Sequence, residues 1–102
     1  MTRYSMKWHI NPLTVPAKPE ERVKLWISML EMVKADLKSG ALTDWGMHSD
    51  LSGGFALAET DEVSLHAEIL KWIPHIVFDI KPVLTADQVI ANTHKAVAAA
   101  KR

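Results

Sequence analysis

Three stretches of this chain place ionisable side chains at alternate positions among apolar ones. In residues 4–10, Lys7 and His9 alternate with Met6, Trp8 and Ile10, and in residues 76–81, Val77, Asp79 and Lys81 alternate with Ile76, Phe78 and Ile80. Around residue 45, Asp44 and His48 alternate with Trp45 and Met47. A period of two sends successive side chains to opposite sides of a strand. If the apolar sets lie under helices, the ionisable ones gather on the uncovered side. An imidazole titrates near neutral pH and can act as acid or base. His9 and His48 are therefore the candidate proton-transfer groups, and Asp79 is placed to orient His9. Lys7, Asp44, Val77 and Lys81 would surround them, and Trp72, beside Pro74, would line a cavity mouth or an interface. The plain alternative is a set of solvated or interfacial ion pairs on a sheet surface.

Other chemistries find little to stand on. The chain has no cysteine, so thiolate catalysis, disulfides and cysteine-ligated metals are excluded. Its five histidines show no HxH, HxxxH or HExxH spacing, and neither a metal nor a cofactor is expected. Ser52-Gly53-Gly54 is too short for a phosphate loop and precedes a strand, not a helix. Twelve basic residues balance twelve acidic ones, which argues against nucleic acid or an anionic membrane as partner. The same balance leaves little self-repulsion to oppose association with a second copy. No apolar run approaches the ~20 residues that span a bilayer, and the first residues lack the apolar core of a secretory signal. A cytoplasmic location is the expectation.

The elements that would position these groups follow in order along 102 residues, enough for a single domain over 1–102. Strand 4–10 leads into a proline-rich loop, 11–18, of useful length for covering a cavity. Pro19, then Glu20 and Glu21, open a helix that Ser39-Gly40 closes. Its inward stripe reads as Val23, Trp26, Ile27, Leu30, Val33 and Leu37, with a second stripe of Leu25, Met29 and Met32 left for another partner. Residues 41–49 and 53–60 read as a hairpin, the second strand apolar on both faces and so central in its sheet. Thr60 or Asp61 caps a second helix with Val63, His66, Ala67, Leu70 and Ile73 inward, which makes His66 a core residue, and Pro74 ends it. The strand at 76–81 closes at Lys81-Pro82. Thr85 and Gln88 form a capping box for a last helix.

A βαββαβ order predicts an α+β, ferredoxin-like fold. It has a four-stranded antiparallel sheet in the order 4-1-3-2, both helices on one face, and here an added C-terminal helix. The other face would be left open and partly apolar, a surface that usually meets a partner or a ligand.

This order of elements resembles the dimeric α/β-barrel superfamily, in which two such sheets face each other across a shared cavity. Leu65-His66, Ile69-Leu70, Ile73-Pro74 and Phe78-Asp79-Ile80 resemble the muconolactone-isomerase group over residues 60–84. Trp45-Gly46, Gly54-Phe55 and Pro82-Val83-Leu84 are similar to small uncharacterised prokaryotic proteins related to that group. The resemblance implies a homodimer, or a larger assembly of dimers, enclosing a small organic ligand, with a cofactor-independent, isomerase-like proton transfer as the expected chemistry. The rival expectation is a ligand-binding or structural oligomerisation domain without turnover.

Overall fold

The computed structural model describes residues 1–101. Its strands are β1 (Thr2–Ile10), β2 (Asp44–Met47), β3 (Gly54–Thr60) and β4 (Ile76–Val83), and its helices are α1 (Pro19–Ser39), α2 (Glu62–Leu70) and α3 (Ala86–Ala100). The strands form one antiparallel sheet in the order β2-β3-β1-β4, the expected 4-1-3-2 arrangement read from the other edge. No described helix is long and apolar enough to cross a membrane.

Alternation in β1 produces the core. Tyr4, Met6 and Trp8 are buried on the helix side with Ala56 and Ala58 of β3, whereas Arg3, Lys7 and His9 are exposed. Trp8 lies against Trp45 with ring centroids 5.5 Å apart and 14° between planes. Its indole Nε1–H donates to the Phe55 carbonyl at 3.1 Å. Gly54 makes room for that ring, since a Cβ there would strike the Trp8 indole and the Gly46 carbonyl.

The strands differ from expectation at their ends. β2 is confined to Asp44–Met47, because residues 41–43 serve as a connector that buries Leu42 and donates its N–H to the Asp36 carbonyl. β4 runs on to Val83, with Pro82 opposite Tyr4. An edge strand tolerates a proline whose nitrogen faces the unpaired side, so Pro82 does not close the pairing.

Both sheet-covering helices are rotated from the expected faces. α1 turns Leu25, Trp26, Met29, Met32, Val33 and Asp36 inward and leaves Val23, Ile27, Leu30 and Leu37 exposed. α2 turns Leu65, Glu68 and Ile69 inward, and Val63, His66, Leu70 and Ile73 are exposed. His66 is therefore not a core residue. Each helix carries apolar residues on two faces, so periodicity alone does not select between them. The face turned inward carries one acidic residue on each helix, Asp36 and Glu68, and the two share Lys71. Asp61, not Thr60, caps α2. α2 stops at Leu70, and a turn through Trp72 and the cis Ile73–Pro74 peptide leads to β4.

Every residue of α3 is exposed, Val89, Ile90 and Val97 included. The helix stands clear of the sheet, and the chain measures 66 × 26 × 22 Å. Its capping box is present, Gln88 N–H donating to Thr85 Oγ1 at 3.2 Å and Thr85 N–H to Gln88 Oε1 at 2.8 Å.

Gly40 ends α1 in the left-handed region at φ 87°. Gly40→Ala is expected to lower the unfolding free energy in urea by about 1 kcal/mol, because a Cβ is strained at that φ.

Candidate functional site

Lys7, His9, Asp44, His48, Val77, Asp79 and Lys81 are all exposed, and the strand residues among them lie on the side of the sheet away from the helices. Register places Lys7 opposite Asp79, and His9 opposite Val77. Asp79 is thus diagonal to His9, and no hydrogen bond joins the two among the described residues. His48 Nδ1 instead lies 3.1 Å from Ser52 Oγ, and Asp44 Oδ1 accepts from its neighbour's N–H in Trp45 at 2.8 Å. No group of three or more metal-ligating side chains occurs among the described residues.

The uncovered face is organised in rows across the strands. One row reads Gly46, Phe55, Lys7, Asp79, and the next reads Asp44, Leu57, Ser5, Lys81. The Phe55 ring lies over Gly46, where a Cβ would collide with it. Arg3 and Glu59 pair at 2.7 Å at one end. Phe55 and Val77 are exposed and Leu57 is half-buried. The face therefore offers an apolar strip edged by charges of both signs.

A cavity of about 280 Å³ lies on the opposite side, between the sheet and the helices. Met6, Trp8, Ile10, Ala56 and Phe78 form its floor, and Trp26, Met29 and Val33 of α1 its roof. Ile69 and Trp72 close one side, so Trp72 is a buried wall of this cavity. No residue of the 11–18 loop lines it; that segment folds into a 3-10 turn at Pro12–Thr14 and bonds Asn11 to His75 and Pro74.

One polar side chain, Glu68, belongs to the cavity wall. Lys71 Nζ donates to Glu68 Oε2 at 2.9 Å and to Asp36 Oδ1 at 2.8 Å, tying α2 and its following turn to α1. Glu68 Oε1 and Asp36 Oδ2 are buried without a donor. Burial above all, and then the hydrogen bond with Asp36, hold the Glu68 carboxyl above its ordinary value. Burial pushes Lys71 down, but its bonds to Asp36 and Glu68 outweigh this and raise it. Asp36, Glu68 and Lys71 escaped the sequence reading because α1 meets α2 here across 35 positions. The signal available was a polar residue interrupting each apolar stripe.

The family described as a domain of unknown function (DUF3303) matches residues 2–97. None of the curated proteins matches the chain.

Two outcomes are expected of the buried cluster. A carboxyl whose pKa is raised by folding favours the folded state at low pH, and that advantage is lost as pH rises from the ordinary 4.5 through the folded value. Glu68→Gln should remove this loss, so the variant gains stability relative to wild type between acid and neutral pH in urea titrations. Lys71→Met should destabilise by about 2 kcal/mol near neutral pH, less than for a fully buried pair because the lysine is partly exposed. The deficit should shrink in acid, where a protonated Glu68 needs no cation.

Proposed function

The chain belongs to this family of unknown function, and for it we propose a cytoplasmic domain that associates with a second copy through the uncovered sheet face and holds a small organic ligand between the facing sheets. The observation that carries this reading is the placement of Asp44 and Lys81. They stand at opposite ends of one row, on the two edge strands, with Leu57 and Ser5 between them. Strands lie about 4.8 Å apart, so the two are separated by roughly 14 Å within one chain and cannot meet there. A twofold axis parallel to the strands lays β2 over the partner's β4 and β3 over the partner's β1. Each Asp44 then faces a Lys81 of the other copy, twice, and Phe55 lies against a lysine at position 7. Arg3 and Glu59 exchange partners by the same operation. Self-complementarity of this kind is what a twofold interface requires.

His9, His48 and Asp79 would border the enclosed space, on a floor of Phe55, Leu57 and Val77. A mostly apolar enclosure with a few convergent polar groups suits a small organic molecule. The likeness to the muconolactone-isomerase group favours proton transfer without a cofactor, His9 serving as the base. The alternative, association without turnover, needs only the charge pattern and the apolar strip.

Asp44→Lys and Lys81→Asp should each reduce the dimer fraction in native mass spectrometry and light scattering, and the double exchange should restore it. High salt should weaken the wild-type dimer. A wild-type chain that is monomeric in dilute solution, or a double variant that stays monomeric after both single ones do, would remove the shared enclosure. A small molecule retained by the dimer and lost with His9→Ala would favour ligand binding there over bare association.

A further inference from the structure

The cavity under α1 lies on the far side of the sheet from the surface just described and does not depend on self-association. We propose that it is a separate binding site for one uncharged, apolar molecule, on the order of two fused rings in size.

Dimensions narrow the occupant first. An engineered cavity of ~150 Å³ takes benzene, and this one, at about 280 Å³, has nearly twice that room. A helix about 10–12 Å across could lay side chains over the mouth but could not occupy the space itself.

Chemistry narrows it further. All four tryptophans of the chain, Trp8, Trp26, Trp45 and Trp72, line the cavity. The polar atoms behind that lining are sealed away: Trp26 Nε1 and Glu68 Oε1 are both buried from any probe that enters. Two acceptors of Lys71 hold the only cation of the cluster. A bound water needs two or more polar partners and would find none. A charged ligand would surrender its hydration without gaining a counter-ion. Flat apolar molecules suit a lining this rich in indole, against which aromatic rings pack face-on or edge-on.

Access is also defined. Of the lining residues, Leu30, Met47 and Leu51 are exposed, which puts the mouth between α1 and the β2–β3 hairpin. A substitution there can obstruct entry without touching the core.

The test titrates the full chain with 1-aminonaphthalene, and in parallel with its charged relative 5-aminonaphthalene-1-sulfonate. The neutral probe is expected to saturate at one per chain, shift its emission to the blue and quench tryptophan emission. The sulfonate should bind about tenfold or more weakly. Ala56→Leu, which fills the floor, and Met47→Trp, which narrows the mouth, should each weaken the neutral probe by about tenfold or more. Val63→Ser, on the outer side of α2 and away from the cavity lining, should leave it unchanged. Circular dichroism identifies a variant that does not fold, in which case the remaining one decides. No saturable binding, equal binding of the sulfonate, wild-type binding by the folded cavity variants, or loss with Val63→Ser would each overturn the proposal. Because Asp44→Lys tests the self-association face alone, retention of the probe by that variant supports a second, independent site, and its loss overturns the separation.

Discussion

Trp8 is the residue on which most of this architecture turns. Its ring fills the helix side of β1, stacks on Trp45 of β2 and spends its only polar hydrogen on the backbone of β3. Three strands are thereby registered by one side chain, and the close approach is possible only because position 54 is glycine. That register in turn decides which side chains the open face presents. A one-residue slip would bury Lys7 and His9 and expose Met6 and Trp8, exchanging an apolar floor for a charged one.

The two sides of the sheet are consequently different environments made from one alternation. On the helix side, indoles and aliphatic groups leave a space that they do not fill, and among the described residues the one carboxyl in its wall, Glu68, is tied with Asp36 to Lys71. On the other side, charges of both signs flank an apolar strip and remain wetted. Electrostatics are strong and local in the first case, screened and pattern-forming in the second. On the proposed reading, partner choice on the open face would rest on where charges stand along a row, and ligand choice under α1 on their being withheld.

The strands were legible in the sequence because period two is written directly in Tyr4–Ile10 and Ile76–Lys81, and strand order follows from a β-α-β-β-α-β sequence with few alternatives. The helices were legible as helices but not in their rotation. α1 offers Val23, Ile27, Leu30 and Leu37 on one side and Leu25, Met29 and Met32 on another, and hydropathy cannot rank them. Asp36, a residue that by composition belongs outside, lies on the buried face, and its bonding to Lys71 is a tertiary fact. The open-face residues could be collected by parity alone. Their mutual geometry could not, and His9 and Asp79 prove to be diagonal, not paired. The cavity was invisible for the same reason as the rotation, since its roof is the face of α1 that the periodicity did not favour.

α3 has a consequence for how the chain as a whole comes apart. A helix of 15 residues with no element packed against it among the described residues is held by its cap and its alanines, near the length at which isolated helices are marginal in water. Its melting is uncoupled from that of the sheet. The helical signal of a dilute sample should therefore fade gradually while the tryptophan environment changes in one sharp step. The gap between those two curves becomes a gauge of whatever α3 is resting on.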